Sequence, residues 1–251
     1  MAKFTTGQIA KLVALEEQRM GKGGDGLHTE LQELIRRLES GGVGTNAAAV
    51  RMPSGAKVID PRRAQAKALW DKGWGRELGC KKFEDYLASI PEIPIFPNGY
   101  TVRFPHLVLV DQRITLTRAC QLLGVKFDGN DQTFVPYDPA RAVTTQVSWA
   151  RCQDGRVYND RKPIDCRTEF AAKGDEFGLS AFEGISLYAQ HPEVIDGHCM
   201  DLPGSVRADC RGDCAYLGRW GGGVVQLGCH WDDGALPDFG SASRGSGAFN
   251  P

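Results

Sequence analysis

The first ninety residues place apolar side chains at helical intervals. Ile9, Leu12 and Val13 share one face behind a candidate N-cap at Thr5 or Thr6. Leu27, Leu31, Leu34, Ile35 and Leu38 form a second stripe. There Thr29 and Gln32 match a capping box, in which each side chain satisfies a backbone N–H left free at the helix start. Gly41 and Gly42 end that helix, and the glycine-rich run at 21–26 before it is not helical. After a Gly/Ala/Ser-rich loop, Asp60 and Pro61 read as N-cap and first helical position. Ala64, Ala68 and Trp70 follow, and the helix ends before Gly73. Phe83, Tyr86, Leu87 and Ile90 mark a fourth. Each helix is short and one-sided, so tertiary packing has to hold it.

At residue 91 the pattern changes. Pro91, Pro94 and Pro97 crowd one stretch, which excludes a central strand. The domain boundary is drawn here, between a helical N-terminal region (1–90) and a second domain (91–251). Asn98-Gly99 is a turn signal, and Tyr100, Val102 and Phe104 alternate after it as a strand. Leu107–Val110 reads as a buried strand ending at Asp111. Thr115 caps a helix carrying Leu116, Ala119, Cys120 and Leu123 on one face, stopped by Gly124. Val147–Cys152 is a strand, and the polar Arg156–Arg167 segment a loop. Ser180 and Glu183 form a capping box opening a helix to Gln190, which Pro192 stops. Cys214–Trp220 and Val224–Trp231 make a hairpin around Gly221, Gly222 and Gly223. Its second strand turns Val225, Leu227, Cys229 and Trp231 to one face, Gln226 and His230 to the other. The prediction is an α+β fold: a helical N-terminal part, then a mixed domain with a small, mostly antiparallel sheet and covering helices.

Composition narrows the function classes. Hydrophobic residues make up 41% of the 251, and no run approaches the ~18–20 apolar residues of a membrane span. The start of the chain shows no secretory pattern, so the eight cysteines are expected as reduced thiols in a cytoplasm. Residues 1–90 carry 15 basic and 11 acidic residues, the rest 15 and 20. Neither half has the dense basic stripe of a nucleic-acid binder.

Residues 178–244 carry a recognisable order. Gly178-Leu179-Ser180 and Glu183-Gly184 open a helix, followed by His191-Pro192-Glu193-Val194 and Leu202–Ser205. Leu227-Gly228-Cys229-His230-Trp231 and Gly240-Ser241-Ala242-Ser243 close the series. Over residues 100–245 this resembles a bacterial family known only as a domain of unknown function. Its members have an "EEG" helix start, a loop ending in Gly-Ser, an "LGWCW" strand and a closing "ASC". The resemblance implies a shared fold and no particular activity. This chain departs from it at Phe182, at His230 and at Arg244, which stands where the closing cysteine is expected. That missing thiol weakens any thiol-based mechanism.

Several groups of residues are of types that do chemistry. His198, Cys199, Cys210 and Cys214 are candidate ligands of a structural zinc, against a reading of the cysteines as core or loop residues. His198, Asp201 and Ser205 supply the types of a base, an orienter and a nucleophile, but no Gly-x-Ser-x-Gly elbow accompanies them. Asp201 and Ser205 serve equally to satisfy loop backbone. The three glycines at 221–223 lie between strands and make a turn rather than a phosphate cradle. Trp70, Trp74, Trp149, Trp220 and Arg219 are of types that favour recognition and also of types that fill cores. The acids of residues 151–169, types that hold Mg²⁺, alternate with arginines, as in a self-neutralising loop.

No motif for catalysis or a cofactor meets its structural context. The expectation is a cytoplasmic binding or interaction protein with an unknown protein or small-molecule partner. The alternative is a hydrolase or metal-dependent enzyme with its site near residues 198–230.

Overall fold

The computed structural model describes residues 60–141 and 145–246. The helices expected over residues 9–38 lie outside them. Asp60 caps α1 (Pro61–Lys72) by accepting the Arg62 N–H at 3.0 Å. Short helices follow: α2 (Trp74–Glu77), α3 (Phe83–Ala88) and α4 (Tyr100–Arg103). The chain continues through β1 (His106–Asp111), α5 (Leu116–Leu123), β2 (Phe134–Pro136), β3 (Val147–Gln153) and α6 (Pro163–Lys173). It ends with β4 (Glu176–Gly178), α7 (Ala181–Gln190), β5 (Cys199–Arg207), β6 (Asp213–Trp220), β7 (Val224–Trp231), β8 (Phe239–Ser241) and β9 (Ser243–Gly245).

The strands form two sheets. The first has the order β1-β3-β9-β4, antiparallel throughout. The second has the order β2-β5-β6-β7, with β8 parallel to the start of β5. A register shift between Leu202 and Val206 marks an irregularity in β5. One apolar cluster joins both sheets to the helices: Leu69, Trp74, Tyr86, Val108, Leu109, Ile185, Leu202 and Leu217 all belong to it. Burying each such side chain contributes about 1.5–3 kcal/mol. Among the described residues no helix is long and apolar enough to cross a membrane.

This arrangement corrects the expected architecture. The mixture of helices and antiparallel strands is present, but not as a helical part followed by a separate small-sheet domain. Helices α1–α3 share the core of β1 and belong to the same compact unit as the strands. Asp111 shows how closely they are tied. Its carboxylate has no exposed surface, accepts the Tyr86 hydroxyl of α3 at 2.9 Å and pairs with Arg113 at 2.7 Å. A buried charge is tolerable because it is paired and hydrogen-bonded.

Two local readings are also revised. Tyr100, Val102 and Phe104 form helix and its cap, not strand. Tyr100 and Phe104 are 4% and 1% exposed and Val102 84%, the spacing of one helix face. The segment read as a loop to Arg167 holds the first half of α6. Its buried side is Pro163, Cys166, Arg167 and Phe170, so an arginine interrupts the apolar stripe that would have announced a helix.

Candidate functional site

Three separated stretches of chain meet at the start of α7. Gly204 N–H donates to Leu179 O at 2.8 Å, Leu179 N–H to Ala242 O at 3.0 Å, and Ala242 N–H to Asp201 O at 2.9 Å. The backbones approach so closely that a Cβ on Gly204 would lie 2.3 Å from the carbonyl oxygen of Gly178. Ser180 caps α7 through the Glu183 N–H, and Glu183 returns the bond to the Ser180 N–H at 2.8 Å. Ser205, on β5, accepts the Ala181 N–H at 2.9 Å.

Beside this junction opens a cleft of about 480 Å³. Helix α6 supplies Arg167 and Phe170, and the start of α7 supplies Ser180–Glu183. Pro203–Ser205, Phe134–Asp138, Phe177 and Arg244 complete much of the wall. Arg167 is 6% exposed. Its Nε donates to Pro203 O at 2.8 Å, and its Nη1 pairs with Asp232. The guanidinium carbon stands 4.2 Å from the centroid of the Tyr137 ring. Its Nη2, buried like the rest, has no hydrogen-bond partner. Arg244 pairs with Glu183 at 2.6 Å and faces the Phe177 ring at 5.1 Å. Glu183 therefore both caps α7 and holds a second arginine at the cleft. The volume, the aromatic walls and a few convergent polar groups are those of a small-molecule pocket.

A second polar group lies inside the β5–β7 sheet. His230 Nε2 is 2.6 Å from Asp201 Oδ1, and Asp201 Oδ2 has no hydrogen-bond partner. Burial pushes the Asp201 carboxyl above the ordinary carboxylate range, against the opposing bond from His230. Burial alone would depress His230, but the Asp201 bond and charge outweigh it and hold the imidazole above its ordinary value. His198 behaves oppositely: burial, helped by the Arg156 charge, holds it down to about 4, and its Nε2 bonds to Asp154 O at 2.9 Å.

The structure separates the residues proposed from sequence. Asp201 engages His230, not His198, and Ser205 engages Ala181, so these three do not make a triad. His198, Cys199, Cys210 and Cys214 are not drawn together as a zinc site. Cys199 packs against Gly218, while Cys214, four positions earlier on β6 and about 13 Å away along the strand, pairs with Val206. Cys214 is fully buried with its thiol pushed well up by that burial, and its Sγ bonds to Ala215 O. Cys210 lies in the turn before β6, where its carbonyl accepts the Asp213 N–H. Among the described residues, a group of three side chains whose ligand atoms lie within 4.8 Å of one another is formed instead by His106, His191 and Glu193.

Cys229 and Trp231, read on the same face as Val225 and Leu227, lie at the margin of the core and beyond it: Trp231 is 72% exposed. Trp74 and Trp149 are buried, Trp149 donating to Pro91 O at 2.9 Å. Cys152 and Cys166, like the other six cysteines, are free thiols. Sequence reasoning missed Arg167 and Tyr137 as partners. Their available signal was an arginine at a core-facing helix position, legible only once the helix itself is recognised. The chain matches no family model, no curated protein and no solved structure.

Proposed function

We propose that this protein binds a small organic anion, a carboxylate or phosphate ester with an apolar body, in the Arg167 cleft. The observation that carries the reading is the unsatisfied Nη2 of Arg167. A buried guanidinium nitrogen without a partner costs free energy, and an acceptor oxygen on a ligand removes that cost. The Tyr137 ring below the guanidinium and Phe134, Phe177 and Phe182 around it suit the apolar body. Eight unpaired thiols fit a reducing, cytoplasmic setting.

The test is a ligand screen by thermal shift with carboxylate and phosphate panels, alongside native mass spectrometry of gently purified protein. A hit is expected to lose affinity in Arg167→Lys, which keeps the charge but loses the fork, and in the surface variant Tyr137→Ala. Panels without a hit, or a hit indifferent to both variants, overturn the reading.

A second reading, an enzyme with its site near residues 198–230, draws on the Asp201–His230 pair. A carboxylate orienting an imidazole is the supporting part of a hydrolytic triad. Any hydrolytic turnover found should then fall at least a hundredfold in His230→Gln; unchanged turnover removes the reading.

A further inference from the structure

We propose that His106, His191 and Glu193 bind a divalent cation of the zinc class, at the opposite end of α7 from the cleft. The three side chains come from the start of β1, the residue that ends α7, and the 3₁₀ turn Pro192–Ile195. One ligand atom from each lies within 4.8 Å of the others. The two imidazole centroids are 4.9 Å apart, the rings inclined at 58°. His191 Nδ1 stands 3.6 Å from Glu193 Oε1. Two ligands of one tetrahedral zinc, each about 2.0–2.2 Å from the metal, are separated by about 3.3 Å.

The surroundings orient His191. Gln190 grips β1 twice, accepting the Leu109 N–H and donating to Leu109 O, both at 2.8 Å. One residue on, His191 Nε2 lies 3.2 Å from Leu107 O. A donor at Nε2 leaves the lone pair at Nδ1, which faces Glu193. Such a backbone acceptor on the far nitrogen is the usual way a ligating histidine is oriented. In that tautomer a nitrogen lone pair and a carboxylate oxygen face each other with no proton between them, and a cation resolves the conflict. A proton on Nδ1 resolves it too, as an ordinary ion pair, and the experiment separates the two. The end of α7 also carries the negative pole of its helix dipole, which favours a cation. Arg156, whose Nη2 approaches Glu193 O at 3.4 Å, opposes it, but its charge is taken up by Asp154. His106 and His191 are half-buried and Glu193 is exposed, so solvent reaches the edge of the set.

The experiment uses the full chain, stripped with a chelator and titrated with ZnCl₂ by calorimetry, and with CoCl₂ by visible absorption. Wild type is expected to take up one equivalent of zinc and to melt at a higher temperature with it. Glu193→Gln should weaken zinc at least tenfold, and His106→Ala should abolish both binding and the thermal shift. Circular dichroism of the metal-free variants checks that they fold. No zinc uptake by wild type at mid-micromolar concentration overturns the proposal, leaving the ion pair. Unchanged affinity in both variants, or thiolate charge-transfer bands in the cobalt spectrum, overturns it in favour of cysteine ligands.

Discussion

His230 Nε2 stands 2.6 Å from Asp201 Oδ1, a carboxylate with no exposed surface, and each group alters the titration of the other. His230 is held above its ordinary value of 6.5. Its contribution to stability is fully present below that value and is lost as pH rises through the folded pKa. Asp201, also held up, acts in the same direction. His198, held down to about 4, acts in reverse: its contribution is present above about 6.5 and lost as pH falls. The stability difference between wild type and His230→Gln in urea should therefore be largest below about pH 6.5, the ordinary imidazole value, and shrink as pH rises above it. Proton NMR should show His198 still neutral at about pH 5, with His230 titrating above 6.5. A difference independent of pH would contradict the coupling.

Arg167 and Asp232 form a buried ion pair, with side chains 4% and 11% exposed. Arg167→Met strands the carboxylate and should cost about 3–5 kcal/mol. Adding Asp232→Leu should restore a large part of that loss, because the desolvated charge is gone. A double-mutant cycle in urea measures the difference, and additive effects would show that the pair is not coupled.

Backbone contact between Gly204 and Gly178 leaves no room for a methyl group. Gly204→Ala should cost about 1–3 kcal/mol through forced backbone movement. Gly221→Ala, where a Cβ meets nothing within 4 Å, is the control and should fall within about 0.5 kcal/mol of wild type. Thermal melting of both variants makes the comparison.

Thiol labelling offers a map of burial. Cys120, Cys152, Cys166 and Cys214 are buried, whereas Cys80, Cys199, Cys210 and Cys229 are partly accessible. Iodoacetamide under native conditions should modify only residues of the second set, and those of the first set after unfolding. Peptide mass spectrometry reads each site. Early modification of Cys214 would mean that β6 opens far more easily than its packing implies.

Much of the local structure was legible because it is written in short-range chemistry. Thr115 and Gly124 bracket α5, Ser180 and Glu183 open α7, and the glycines at 221–223 turn the hairpin, as read. What escaped was set by long-range contact. Arg167 looks like a surface residue until Pro203 and Asp232, 36 and 65 positions away, supply its partners. Tyr100 and Phe104 satisfy a strand's alternation and a helix's i,i+4 spacing alike, and only burial decides between them. The cleft was invisible for the same reason: its walls come from six stretches of chain, each unremarkable by itself.

The placement of β9 bears on how the protein is made. The order β1-β3-β9-β4 puts one of the last described strands in the interior of the first sheet. While residues 243–245 are still inside the ribosome, β3 and β4 each lack a neighbour and present a bare edge. The nascent chain can form β1 with β3 and the helices around them, but not the closed sheet. Completion must wait until residues 243–245 have left the ribosome, and a polypeptide halted near residue 238 would be left with an open edge suited to aggregation or chaperone capture.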